Sequence, residues 1–216
     1  MLHVFCTNDP VFAQNGRVVH PDGTEMCWII DPGLPPMVEE MVQYVYDRDL
    51  QPAAIILTHA HADHFAGLDD ARAAFPKAEV YLAKEEHHFL TDAKANLSAP
   101  FGMPHTVSGG GILDLTEGMT LRLGNTDWRV LDTSGHSPGG RSLYCAAEKT
   151  VIVGDALFAG SIGRTDFPHS NHGRLIRNLT QNLLSLPDET RVLSGHGPDT
   201  TISVERHTNP YLAGVS

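Results

Sequence analysis

Ten residues, Thr58-His59-Ala60-His61-Ala62-Asp63-His64-Phe65-Ala66-Gly67, constrain this chain more than any other stretch. They place three imidazoles and one carboxylate within six positions. Residues 52–57, just before them, are short and apolar and read as a buried strand. Residues 64–75 read as a helix with Leu68, Ala71 and Phe75 on one face. The histidines therefore fall on a tight loop between a strand end and a helix start, where open α/β sheets place their sites. Alternate side chains of an extended segment share a direction, so His59 and His61 can converge on one metal ion. Asp63 and His64 begin the turn into the helix and point elsewhere, towards a second ion. A histidine-rich surface tract is the plain alternative, but further ligand types in matching contexts argue against it.

Three more strand ends carry such residues. Residues 128–131 run into Asp132-Thr133-Ser134-Gly135-His136. Residues 150–153 end in Gly154-Asp155, and residues 190–193 end in Ser194-Gly195-His196-Gly197-Pro198. Each of His136, Asp155 and His196 has glycine beside it, which lets backbone approach closely. The set is five histidines and two aspartates. Two ions can each take four ligands if a carboxylate bridges them. His59, His61 and His136 are assigned to the first, and Asp63, His64 and His196 to the second, with Asp155 between. Zinc suits imidazole and carboxylate ligands in open catalytic sites; iron and manganese suit them too. A pair of ions ~3.5–4 Å apart holds hydroxide at neutral pH, because metal binding lowers the pKa of water to ~7. That hydroxide is the expected nucleophile, with Asp63 and His64 the catalytic pair beside it. Ser137 and Ser194 then read as loop residues.

The remainder reads as alternating sheet and helix. Strands are expected at 2–5, 15–19 and 26–30, the last ending in Asp31-Pro32-Gly33. Asp31 is either a carboxylate supporting a ligand or a turn former. Val38, Met41, Val42 and Val45 make the apolar stripe of a helix opened by Pro35-Pro36. A strand at 79–82 and a short helix at 84–90 follow. Residues 92–111, with Pro100, Gly102, Pro104 and Gly109-Gly110-Gly111, form a long irregular connection and a candidate cover over the site. Hairpins follow at 119–131 and 143–153, then a helix at 173–185 and a strand at 190–193. Two halves, each running strands and then helix, suit a sheet-on-sheet sandwich with helices outside.

The chain of 216 residues can bury a good core, and 41% hydrophobic with 19% charged residues fits a globular protein. A net charge of −11 excludes a nucleic-acid binder and requires that an anionic substrate be drawn in locally. Cys6, Cys27 and Cys145 are scattered, so no disulfide framework is expected, and a reducing, cytoplasmic setting follows. No apolar run approaches the ~20 residues of a membrane helix, and no leader is expected at the N-terminus.

The elements Thr-His-x-His-x-Asp-His at 58–64, Gly135-His136, Gly154-Asp155 and Gly195-His196-Gly197-Pro198 match, in order, those of the metallo-β-lactamase superfamily. Gly154-Asp155-Ala156-Leu157-Phe158, Gly163-Arg164-Thr165-Asp166-Phe167-Pro168 and Asn209-Pro210-Tyr211-Leu212 resemble its glyoxalase II-like branch, in the short form of hydroxyacylglutathione hydrolase. The early Asn-Cys element of that branch stands here as Gln14-Asn15-Gly16-Arg17-Val18. The resemblance implies an α+β, four-layer αββα sandwich. It implies a single domain over 1–216, without the helical domain that helps longer relatives hold glutathione. It implies two divalent metal ions, zinc first, and hydrolysis of a glutathione-linked small-molecule thioester by attack of the bound hydroxide. A thiolate leaves readily, so no general acid is needed. Arg164 is expected either to hold a substrate carboxylate or to brace its loop through Asp166, and Arg141 is a second carboxylate candidate. Two other chemistries suit the same residues. One is a persulfide dioxygenase with a single iron on His59, His136 and Asp155. The other is a lactone or β-lactam hydrolase on the dinuclear site. A non-enzymatic binding role would predict weak metal binding and an indifferent His59→Ala variant.

Overall fold

Cys27–Ile30 and Ile55–Leu57 are continuous apolar runs, and all are buried. Runs of that kind belong to strands covered on both faces. In a computed structural model describing residues 1–214, they lie at the centre of a six-stranded sheet. Its strands are β1 (Leu2–Asn8), β2 (Asn15–Pro21), β3 (Met26–Ile30), β4 (Gln51–Ile56), β5 (Glu79–Leu82) and β6 (Ile112–Asp114), in that order. β1 to β3 pair antiparallel; β3 to β6 pair parallel. A parallel pair needs a crossover, and α1 (Met37–Asp47) supplies the one between β3 and β4. It buries Met37, and its Val38, Met41 and Val45 cluster with the sheet side chains Val18, Ile29 and Ile55. Two short helices, α2 (Ala62–Phe65) and α3 (Leu68–Ala74), follow β4. These elements belong to one compact unit, Met1–Leu115 with Arg122–Thr126. Because β3 and β4 run together, Ile30 pairs with Ile56, and the Asp31 N–H donates to the Ile56 carbonyl at 3.0 Å. Asp31 and the histidine loop thus leave the same sheet edge.

The second unit comprises Thr116–Leu121 and the chain from Asp127 onward. The second six-stranded sheet contains β7 (Thr120–Leu123), β8 (Thr126–Asp132), β9 (Arg141–Cys145), β10 (Thr150–Gly154), β13 (Arg191–Ser194) and β14 (Thr200–Thr201). Its order is β14-β13-β10-β9-β8-β7. A small hairpin, β11 (Leu157–Phe158) with β12 (Ser161–Ile162), stands apart from it. The helices α4 (His172–Asn178) and α5 (Ile202–Thr208) complete the unit, and Leu175, Leu179, Leu183 and Ile202 pack with Val151, Val153 and Val192. β9 is antiparallel to both β8 and β10, and β13 is parallel to β10. Hence β8, β10 and β13 all point the same way, and the loops after them emerge at one edge.

Several elements differ from the sequence expectation. The helix expected at 64–75 is broken into α2 and α3 at Ala66-Gly67. There the Gly67 N–H donates to the Gly33 carbonyl, and a Cβ on Gly67 would lie 2.7 Å from that of Val38. The helix expected at 173–185 is α-helical only to Asn178 and then widens into a π turn, Leu179–Leu183. Residues Lys84–Thr91 form a 3₁₀ rather than an α-helix. The two- and three-residue strands β6, β11, β12 and β14 are too short for alternation to register, and α5 was not anticipated. No disulfide forms among the described residues: Cys6, Cys27 and Cys145 are free, and burial pushes the Cys27 thiol up to about 12. No helix among the described residues is long and apolar enough to cross a membrane.

Candidate metal centre

In the first unit the histidine loop is built on Asp31. This residue is buried and sits at φ +48°, a conformation in which aspartate is tolerated better than most side chains. Its carboxylate accepts from the Thr58 N–H at 2.8 Å, the Thr58 hydroxyl at 2.7 Å and His64 Nδ1 at 2.9 Å. Of the two roles expected for Asp31, the carboxylate's contacts match the one in which it supports the histidine loop. A carboxylate only accepts, so the His64 proton sits on Nδ1 and Nε2 keeps its lone pair. That Nε2 is 4.0 Å from Asp63 Oδ2. The Thr58 hydroxyl gives its proton to Asp31, so its oxygen accepts from His59 Nδ1 at 3.2 Å. His59 Nε2 is thereby left to face His61 Nδ1, 3.1 Å away, with the rings edge to face. Two nitrogens bound to one tetrahedral ion at 2.0–2.1 Å stand about 3.3 Å apart. The spacing fits a shared cation.

The second unit repeats the logic. His136 follows β8 in a buried loop, and its Nδ1 donates to the Arg164 carbonyl at 2.8 Å. Its Nε2 faces Asp155 Oδ2 at 3.5 Å, and His196 Nε2 faces the same oxygen at 3.4 Å. With its Nδ1 donating, His136 keeps a lone pair on Nε2 that would repel the carboxylate unless a cation or proton lay between them, and both separations match a ligand edge of about 3.3 Å. Asp155 and His196 are delivered together because Gly154 pairs with Ser194, and the Gly195 N–H donates to the Gly154 carbonyl at 2.7 Å. Only glycine fits at 195: a Cβ there would meet Asp155 Oδ1 at 2.3 Å. The donor set of nitrogen and carboxylate oxygen in each unit fits a divalent ion.

A match decides which family this is. The family model described as the metallo-β-lactamase superfamily spans residues 15–196. The chain belongs to that superfamily. It is 40% identical over 193 residues to a probable metallo-hydrolase, YqgX, of Bacillus subtilis (89% of this chain, 90% of that protein). It is 32% identical over 208 residues to the hydroxyacylglutathione hydrolase GloC of Haemophilus influenzae, covering 95% of both. Among solved structures it is similar to the BLEG-1 B3 metallo-β-lactamase, with a TM-score of 0.89, 36% identity and coverage of 99% and 100%. It is similar also to TTHA1623 in a di-iron-bound form, with a TM-score of 0.84, 36% identity and coverage of 97% and 100%. The fold is thus the α+β metallo-β-lactamase fold the motifs implied. Superfamily membership and the metallo-hydrolase relatives support a metal-dependent hydrolase, and the histidine and aspartate groups point to divalent metal.

The two arginines singled out in the sequence sit differently. Arg164 is exposed, forks onto Asp166 at 3.0 and 2.8 Å, and lies 4.3 Å over the Phe167 ring. Hydrogen bonding to each other raises the Arg164 pKa and lowers that of Asp166. Arg141 is buried and reaches Asp132 at 3.1 Å and the Gly140 carbonyl at 3.2 Å. Sequence reasoning missed two residues beneath the histidine loop, Glu86 and Asn96. Both are fully buried. Glu86 lies in the short helix expected at 84–90, and Asn96 in the irregular connection expected at 92–111. The first half of that segment is anchored instead: Asn96 Nδ2 donates to the Phe89 and His105 carbonyls, and its Oδ1 accepts from Ser98. Phe101 and Met103, further along, are exposed.

Proposed function

We propose that this protein hydrolyses glutathione thioesters of the hydroxyacylglutathione kind, using two divalent ions, zinc by preference. The likeness to the Haemophilus influenzae hydroxyacylglutathione hydrolase across nearly the whole of both chains carries this reading. We assign His59, His61 and His136 to one ion, Asp63, His64 and His196 to the other, and Asp155 to both. The geometry within each unit supports the assignment: His59 Nε2 faces His61 Nδ1 at 3.1 Å, and the Nε2 atoms of His136 and His196 face Asp155 Oδ2 at 3.5 and 3.4 Å. Bound ions of this kind supply a water of lowered pKa and polarise a carbonyl.

The chain's own residues orient that chemistry. Asp31 and Thr58 fix the tautomers of His64 and His59, and the Arg164 carbonyl fixes that of His136. Two candidate nucleophiles are otherwise disposed: the Cys27 thiol is buried with a raised pKa, and the buried Ser194 hydroxyl donates to the Leu157 carbonyl at 2.9 Å. A thioester suits such a site, because a thiolate departs without a proton donor. We assign Arg164 to bracing its loop through Asp166 in the free protein and, being exposed, to exchanging that partner for a substrate carboxylate. The likeness to a B3 metallo-β-lactamase favours one second reading, β-lactam hydrolysis on the same ions. A panel of lactoylglutathione, a β-lactam and glutathione persulfide separates the cases. Thioester turnover well above the others is the expected result. Ring opening without thioester cleavage would favour the lactamase reading, and oxygen uptake with the persulfide would overturn hydrolysis altogether.

A further inference from the structure

The ligand loop has two backbone hydrogen bonds to acceptors outside the proposed ligand set, the first of them buried. The Ala60 N–H, between His59 and His61, donates to Glu86 Oε2. The Ala62 N–H, between His61 and Asp63, donates to the Asn96 carbonyl at 3.1 Å. Neither acceptor lies near these positions in sequence. Both come from one stretch, in which the Asn96 side chain ties the chain after the 3₁₀ turn back onto it at the Phe89 carbonyl.

The ladder of β4 has ended where the loop begins, so these N–H groups have no strand to pair with. Burying them without acceptors would cost on the order of 1–3 kcal/mol each. More to the point, each acceptor fixes a peptide plane next to a ligand. The direction of His59 and His61 depends on the peptide between them. Rotating that peptide would pull their facing nitrogens out of the 3.1 Å spacing.

We infer that Glu86 is a positioning residue for the His59–His61 pair: its buried carboxylate holds the Ala60 peptide in the orientation that aims both imidazoles at one ion. This rests on the proposed metal-binding role of the loop. Glu86 is not one of the proposed ligands; it acts through the Ala60 peptide. Its charge is not the essential feature; an acceptor oxygen at that point is. Glutamine keeps such an oxygen, leucine removes it, and aspartate draws it back by one methylene. His64 is held separately, through Asp31, so the second ion's ligand is not governed by Glu86.

The test is zinc titration of metal-free protein against a chromophoric chelator, with folding followed by circular dichroism. Glu86→Leu and Glu86→Asp should weaken one of the two ions by about 10–100-fold, the usual cost of losing such support, and leave the other within about twofold. Glu86→Gln should restore most of the loss. If Glu86→Leu does not fold, the comparison of Glu86→Asp with Glu86→Gln decides alone. Equal weakening of both ions, a lower melting temperature with both affinities unchanged, or a glutamine variant no better than aspartate would each overturn the inference. Wild-type protein that binds no zinc would instead defeat the proposed function.

Discussion

Replacing Asp31 by asparagine is the sharpest probe of how the histidine loop is set. The change is isosteric and suits the residue's φ of +48°, since asparagine tolerates the left-handed region. It nevertheless cannot satisfy the three donors that converge on this carboxylate, namely the Thr58 N–H, the Thr58 hydroxyl and His64 Nδ1. If the amide nitrogen replaces Oδ1, it meets the Thr58 N–H, donor against donor. If it replaces Oδ2, the Thr58 hydroxyl can turn and accept, but His64 must move its proton from Nδ1 to Nε2. The first orientation leaves a buried donor–donor mismatch, worth about 1–3 kcal/mol. The second avoids it only by removing the lone pair on the nitrogen assigned to the metal. Urea unfolding of metal-free protein should show the stability loss. Zinc competition should show affinity at the His64 ion reduced about 10–100-fold, and long-range nitrogen–proton correlation should report the tautomer. A variant within about 0.5 kcal/mol of wild type, with unchanged zinc affinity and an Nδ1-protonated His64, would refute the account.

Other predictions rest on separate observations. Gly195→Ala should abolish most activity, because the new methyl would meet the Asp155 carboxylate at 2.3 Å and the Gly154 backbone at 2.7 Å; turnover with unaltered kcat would contradict this. Asp155→Ala should lower metal content to about one ion or fewer per chain, whereas His196→Ala should empty mainly one site; equal loss in both would refute the bridging assignment. Asp132 governs part of the acid stability. Burial alone would raise its pKa, but hydrogen bonds from Ser134 and the charges of Arg141 and Arg174 outweigh that and hold it below 3.8. Its stabilisation is fully present above that unfolded value and is lost as pH falls through the lower folded one. Asp132→Asn should therefore be less stable at neutral pH, with a flatter stability curve below roughly pH 4 in urea melts.

The site was legible where chemistry repeats within a short span, and illegible where it depends on distant partners. Three histidines and an aspartate on one loop announce themselves, and so do single ligands set after strands beside glycine. Asp31 was recognised only as a strand-end carboxylate with two roles, because nothing in the sequence says that Thr58 and His64 will meet it. Glu86 was hidden by its neighbours: among Lys84, Glu85 and Glu86, only tertiary structure shows which carboxylate turns inward. The strands read correctly wherever apolar runs exceeded four residues. The helix of residues 64–75 failed because its periodicity continues through Gly67, while the backbone there is diverted to bond Gly33. α5 is hard to read because seven residues with three β-branched side chains carry little helical signal; its N-cap, Thr201 accepting from the Val204 N–H, is the available clue.

The central claim is that the proposed histidine and aspartate ligands serve a metal-dependent thioesterase. It is tested most directly by stripping the protein of metal and adding zinc back in measured equivalents, with lactoylglutathione hydrolysis and bound zinc read on the same samples. The account predicts no turnover in the stripped protein and activity that rises with added zinc and levels off at about two ions per chain. Full activity in stripped protein, or two bound zinc ions without thioester hydrolysis, would contradict it.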